Sequence, residues 1–227
     1  MINTHLYKSE SLWQEAAKFL TKQIVPDKKM VLLLSGGSST KIYPALGEYL
    51  QKGSYQIALA QVDERFQPES QESVNSYDIG RTNLWKVCDE RKIPYFLVSQ
   101  EKTLAEASSQ YNEILNRLFR DYPLKIAVLG IGPDGHTAGL LPGYEKVWNT
   151  NQYVVGYQNS GLYPKRISIT PKAIKELDYG LVIAVGEAKK EPIKKALAGK
   201  NVKDLNRCPA SILRQIKRAD LFTDVKI

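Results

Sequence analysis

Seven short, mostly apolar runs punctuate this 227-residue chain: MVLLLSGG (30–37), QIALAQVDE (56–64), IPYFLVS (93–99), KIAVLGIG (125–132), YVVGY (153–157), RISIT (166–170) and YGLVIAVG (179–186). A strand wet on one face alternates apolar with polar residues, whereas a near-continuous apolar run predicts a strand covered on both faces, as in parallel sheets. Segments with helical spacing lie between them. SESLWQEAAKFLTKQIV (9–25) puts Leu12, Ala16, Phe19, Leu20 and Ile24 on one stripe, with Ser9 as N-cap. LAEASSQYNEILNRLFRDY (104–122) repeats the stripe with Leu104, Ala107, Tyr111, Ile114, Leu115 and Leu118, and Thr103 with Glu106 has capping-box spacing. This alternation predicts an α/β fold: a three-layer, mostly parallel, doubly wound (Rossmann-like) sheet with helices on both faces. No low-complexity segment, long linker or repeat interrupts it, so residues 1–227 are expected to form a single domain.

Composition narrows the function classes. Hydrophobic residues at 43% and charged residues at 25% are ordinary for a water-soluble globular chain. No apolar run approaches 18 residues, and the first twenty lack the uncharged core of a signal peptide, so a cytoplasmic protein with no membrane partner is expected. Cys88 and Cys208 have no CxxC spacing and no histidine close by in sequence, which favours two buried free thiols over a disulfide or metal site. The net charge of +8 is spread along the chain and mixed with acids. Nucleic-acid binding needs such charge gathered on one face, so no nucleic-acid partner is expected; a small anionic substrate fits the balance at least as well.

Doubly wound sheets bind ligands beyond the carboxyl ends of their strands, and four strand-exit loops here are unusual. In LLLSGGSSTKIY two glycines followed by the hydroxyl residues Ser38, Ser39 and Thr40 lead from a strand into a helix. They form either a tight turn with serine caps or an anion site of backbone N–H groups and hydroxyls. In QVDERFQPES a strand runs into Asp63, Glu64 and Arg65, either a solvated edge or a cleft wall with Arg65 facing an anion and Asp63 holding or activating a polar group. In KIAVLGIGPDGHTAGLLPG (125–143), Gly130, Gly132 and Gly135 allow a sharp turn with N–H groups presented inward. Thr137–Ala138–Gly139–Leu140–Leu141 then read as a short helix stopped by Pro142 and Gly143. His136 would stand at its N-terminal end, where the dipole keeps an imidazole neutral and able to take a proton from water. A cap or a packed polar residue is the plainer alternative for that histidine. Finally, Arg166 enters a strand and Lys189 follows a strand-ending glycine by three residues. They are either surface charges or a fork and a point charge converging on phosphate.

Taken together, LLLSGGSS, VDERFQP, LGIGPDGHTAGLLPG, PKRISIT, GEAKK and CPASIL occur in the order of the 6-phosphogluconolactonase family, which the chain resembles along nearly its whole length. The family lies in a superfamily with glucosamine-6-phosphate deaminase. The resemblance implies hydrolysis of 6-phospho-D-glucono-1,5-lactone to 6-phospho-D-gluconate in the oxidative pentose phosphate pathway, without metal or other cofactor. It makes His136 the general base on water and puts Arg65 at the substrate; Asp63 and Arg65 are expected to join His136 as catalytic residues. Ser35, Gly36, Gly37, Ser38, Arg166 and Lys189 cradle the sugar phosphate, with Gly132 and Asp134 of the histidine loop also at the substrate. Asn75, Ser76 and Tyr77 stand where the family has serine–asparagine–tyrosine and receive no role. Lactone opening needs a base beside water and donors aimed at the oxyanion, and no serine nucleophile, which accords with the lack of a G-x-S-x-G motif.

Two rivals share these residues. An amino-sugar phosphate deaminase or isomerase would use Asp63 as the base at the sugar's C2 with His136 assisting ring opening. The stretch after His136 and the arginine at 65 depart from the deaminase pattern. A non-enzymatic sugar-phosphate-binding protein would keep only the cradle. A monomer or weak dimer is expected.

Overall fold

A computed structural model describes residues 2–198 and 204–227. Its strands are β1 (Ile2–Leu6), β2 (Met30–Leu34), β3 (Ile57–Gln61), β4 (Asp63–Arg65), β5 (Tyr95–Phe96), β6 (Leu124–Gly130), β7 (Val154–Gln158), β8 (Lys165–Ile169), β9 (Tyr179–Ala184) and β10 (Arg218–Thr223). Its helices are α1 (Ser9–Thr21), α2 (Tyr43–Lys52), α3 (Asn75–Gly80), α4 (Leu84–Arg91), α5 (Leu104–Asp121), α6 (Glu145–Trp148), α7 (Pro171–Lys175) and α8 (Lys190–Leu197).

The apolar runs are buried on both faces, as their composition predicts. Along β2, Met30, Leu32 and Leu34 pack with Leu12, Ala16 and Leu20 of α1 and Leu46 and Leu50 of α2. The intervening Val31 and Leu33 pack on the opposite face with Tyr111 and Leu115 of α5, Ala173 of α7 and Ile193 of α8. Successive side chains of a strand point to opposite faces, so one run feeds two cores and the molecule has three layers. The sheet is seven-stranded, in the order β1-β10-β9-β6-β2-β3-β5, and each pairing is parallel.

That order locates the functional end. From β2 the chain winds outward through β3 to β5, then returns to the other side of β2 as β6 and continues to β9 and β10. The winding reverses between β2 and β6, where the loops leaving two neighbouring strands diverge and open a crevice.

Several sequence expectations need correction. The run 56–64 is not one strand: β3 belongs to the large sheet, while β4 joins β8 and β7 in a separate antiparallel sheet, order β4-β8-β7. The change occurs at Val62, whose N–H donates to Leu34 O at 2.9 Å while its carbonyl accepts from Ile169 N at 2.9 Å. Just before it, the Tyr111 hydroxyl accepts from Gln61 N (2.6 Å) and donates to Gln61 O (2.7 Å), taking the bonds a neighbouring strand would use. For the same reason the expected strand over 93–99 shrinks to Tyr95–Phe96, because Val98 N donates to the Gln61 side chain instead. Ser9 is the first helical residue and not the cap; the Lys8 carbonyl accepts the first turn's bonds from Ser11 and Leu12. The Thr103–Glu106 capping box is formed. Strands β1 and β10, mixed in polarity, escaped the apolar-run criterion.

The expected helix over 137–141 does not exist. Thr137 and Leu140 form a bridge across a tight turn with Ala138 at φ 51°. Its amides are claimed by the small sheet: Gly139 N donates to Ser168 Oγ (2.9 Å), and Leu141 N donates to the Tyr157 hydroxyl (3.2 Å), which itself donates to Gly139 O (2.6 Å). An amide bonded sideways cannot close an i→i−4 helical bond. His136 therefore stands at no helix N-terminus.

Candidate active site

A cleft of about 300 Å³ opens over the β2–β6 reversal. Its floor is the serine–glycine loop. Ser35 is spent on structure: its hydroxyl donates to Val128 O of β6 (2.8 Å) and its carbonyl accepts from the Tyr43 hydroxyl (2.5 Å). Gly36 faces the Asn75 side chain so closely that a Cβ would lie 2.4 Å from Asn75 Oδ1, so any larger residue would displace it. Gly36 then opens a 3-10 turn (Gly37–Ile42), beside Ser38, that no side chain caps among the described residues.

One wall is β4, where alternation divides three consecutive charges. Asp63 and Arg65 point into the cleft. Glu64 points the other way and is wholly buried. Its carboxylate accepts from Gln61 Nε2 (2.7 Å) and from the backbone N–H groups of Arg65 (2.8 Å), Asn75 (2.5 Å) and Ser76 (2.9 Å). Burial pushes its pKa up, and these bonds offset part of that rise. Glu64 is therefore a buttress that fastens the start of α3 to β4, and this gives Asn75 and Ser76 a structural role the sequence did not assign. Asn75 also donates from Nδ2 to Asp63 O (3.0 Å).

The opposite wall is the Gly130–His136 loop. Gly132 N donates to His136 O (2.9 Å) and Gly135 N to Gly132 O (3.0 Å), which folds the loop back on itself. A Cβ on Gly132 would sit 2.2 Å from the His136 ring, so glycine is what lets the imidazole stand there. His136 lines the cleft. Its Nδ1 lies 2.6 Å from Asp134 Oδ1, which also accepts the His136 backbone N–H at 3.1 Å. Burial alone would raise Asp134's carboxyl, but the hydrogen bond and charge of His136 outweigh it and hold it at about 2. In a neutral imidazole, an ionised acceptor at Nδ1 favours the Nδ1–H tautomer, whose lone pair is on Nε2. Asp134 itself does not line the cleft; its carboxylate stands at the imidazole's Nδ1.

Cations close the remaining side. Arg166 Nη1 lies 3.9 Å from Asp63 Oδ2, and its Nε is buried with no hydrogen-bond partner among the described residues. Burial raises Asp63's pKa, opposed by the charges of Arg166, His136 and Arg65 and the hydrogen bond from Asn75. Lys189 enters from the turn preceding α8, and burial lowers its pKa, partly offset by Asp224. Of the residues singled out from sequence, Ser35, Gly36, Gly37, Ser38, Asp63, Arg65, Gly132, His136, Arg166 and Lys189 all meet at this cleft; Asp134 alone stands behind it. The sequence reading missed Tyr163, which also lines it; a lone aromatic in a polar hairpin carries no periodic signal. Among the described residues no group of His, Cys, Asp or Glu is arranged to hold a metal ion, and both cysteines are free and buried.

Residues 8–222 match the model of the glucosamine-6-phosphate isomerases/6-phosphogluconolactonase family. The chain belongs to that family. Within it, a 6-phosphogluconolactonase of Borreliella burgdorferi is 30% identical over 173 residues, 73% of this chain and 71% of the relative. One from Xylella fastidiosa is 29% identical over 205 residues, 86% and 83% of the two chains. The solved 6-phosphogluconolactonase of Thermotoga maritima superposes with a TM-score of 0.77 at 23% identity, over 98% of this chain and 99% of that one, a likeness of fold.

Proposed function

We propose that the chain hydrolyses 6-phospho-D-glucono-1,5-lactone to 6-phospho-D-gluconate, the lactone-opening step of the oxidative pentose phosphate pathway. It is an enzyme of the 6-phosphogluconolactonase kind, an ester hydrolase acting on a cyclic ester. The observation that carries the proposed mechanism is an imidazole bonded through Nδ1 to Asp134, facing a cleft that also holds Arg65, Arg166 and Lys189.

The phosphate, a dianion at neutral pH, is held by Arg65, Arg166 and Lys189 and by the uncapped N–H groups that follow Gly36. Anchoring that end sets the lactone carbonyl in register with His136. The Nε2 of His136 accepts a proton from water as the water oxygen adds to C1, and the carbonyl electrons become an oxyanion within the cations' field. Collapse breaks the C1–O5 bond, and O5 leaves with the proton that the imidazole had taken. The acid formed ionises, and the imidazole is neutral again. Asp134 keeps the ring oriented and supports its transient charge; Asp63 steadies Arg166. The Asp63 carboxylate faces an arginine 3.9 Å away, which suits orientation better than proton abstraction at a sugar C2. We place the enzyme in the cytoplasm, where free thiols such as Cys88 and Cys208 persist. We further propose that residues 1–227 form one domain, a monomer or weak dimer, with a sugar phosphate and not nucleic acid as its partner.

The test is to generate the lactone in situ and follow acid release against spontaneous opening. Expected is an acceleration that saturates with substrate, and no ammonia from glucosamine 6-phosphate. Ammonia release with no lactone opening would transfer the proton chemistry to Asp63 and the deaminase reading.

A further inference from the structure

Arg65 and Arg166 are register partners, directly opposite each other where β4 pairs with β8. Like charges in that position destabilise an antiparallel pair, so something must hold these two together before any anion arrives. Asp63 lies 3.9 Å from Arg166, and its charge reaches Arg65 more weakly. Arg65 donates from Nη1 to the Ser73 carbonyl at 2.9 Å, which carries no charge. The partner the two arginines share on the other side is Tyr163: the Arg65 Cζ lies 4.2 Å from its ring centroid, and the Arg166 Cζ lies 5.8 Å from the same ring.

The backbone that carries the ring is braced. Tyr163 lies in the β7–β8 hairpin, where Asn159 Nδ2 donates to Tyr163 O (2.8 Å) and Pro164 O (3.1 Å), Asn159 Oδ1 accepts from Gly161 N (2.7 Å), and Ser160 N donates to the Tyr144 hydroxyl (2.8 Å). A guanidinium laid on an aromatic face keeps its N–H donors in its own plane, free for an oxyanion, and the negative ring face offsets part of the repulsion between the two cations.

We propose that Tyr163 is a positioning residue: its ring holds Arg65 beside Arg166, so that the pair meets the substrate's phosphate as a preformed two-arginine clamp. Resting on the lactonase reading for its substrate, the clamp acts on binding and leaves the water-activating histidine on the far wall untouched.

The experiment compares wild type with Tyr163→Phe and Tyr163→Leu, measuring dissociation constants for 6-phosphogluconate and for inorganic phosphate, KM and kcat on the lactone, and melting temperature. Tyr163→Phe keeps the ring and is expected within about twofold of wild type throughout. Tyr163→Leu is expected to weaken both ligands and raise KM by about tenfold, with kcat within about twofold, as loss of a partly desolvated cation–π contact predicts. The inference is overturned if Tyr163→Leu binds like wild type, if Tyr163→Phe loses as much as Tyr163→Leu, or if Tyr163→Leu melts far below wild type and so serves folding. A wild type that binds phosphate with this pattern but does not open the lactone keeps the clamp and removes the reaction.

Discussion

The chain has two histidines, and each bonds an aspartate: His5 Nε2 lies 2.7 Å from Asp220, and His136 Nδ1 lies 2.6 Å from Asp134. Distance alone does not separate them. His5 sits on β1 at the sheet edge, its ring stacked on Phe222 at a 4.8 Å centroid distance and tilted against Phe19 at 4.8 Å, and its aspartate is buried. Its ring faces are taken by hydrocarbon and its Nε2 by carboxylate, so the pair ties β1 to β10. His136 has glycine on one side, open cleft on the other, three cations within the same cavity, and a half-exposed aspartate behind it. A histidine–aspartate contact is thus a generic structural unit. What makes one a base is a free lone pair facing a space where substrate is held.

Three measurements break or sharpen that contrast. His136→Asn is expected to lower kcat about 10²–10⁴-fold while 6-phosphogluconate binding changes by no more than a few-fold. Unchanged turnover would remove the histidine from the chemistry. His5→Gln is expected to do the reverse, leaving kcat and KM as in wild type while stability drops by about 1–3 kcal/mol in thermal or urea unfolding, because a buried carboxylate loses its main partner. Equal melting of variant and wild type would show the edge pair to be idle. The smallest effect is on acid stability. Asp134's carboxyl is lowered in the folded state from 3.8 to about 2, so the stability it contributes is complete above about pH 4 and is lost as pH falls towards 2. Asp134→Asn should flatten the unfolding profile in that window only; solvent screening of a half-exposed pair keeps the difference modest.

The same contrast between pattern and placement runs through Asp63, Glu64 and Arg65. As a sequence triplet they are three charges at a strand end. In the fold, a two-residue alternation puts two into the cleft and the third into a sealed pocket under α3. Sequence could raise the triplet as a site but could not sort it, because the sorting depends on where the chain changes sheets. That event occurs at Val62, beside Gln61, whose N–H and carbonyl are both bonded to the Tyr111 hydroxyl on a helix some fifty residues away. Tyr163 was invisible for a related reason: its partners, Arg65 and Arg166, reach it only through β4–β8 pairing.

Left to itself, the order of amino acids determined the strands that are apolar on both faces, the two long amphipathic helices with the Thr103 cap, and the candidate residues at strand ends. Each of these depends on neighbours within a few positions along the chain, where periodicity and capping operate. Folding in three dimensions decided the second sheet, the turn in place of a helix after His136, the burial of Glu64 and the station of Asp134 behind the imidazole. The second sheet and the turn after His136 were settled by hydrogen bonds between residues distant in sequence; Glu64 and Asp134 also use near neighbours, but what those bonds do depends on where the strands and loops around them lie.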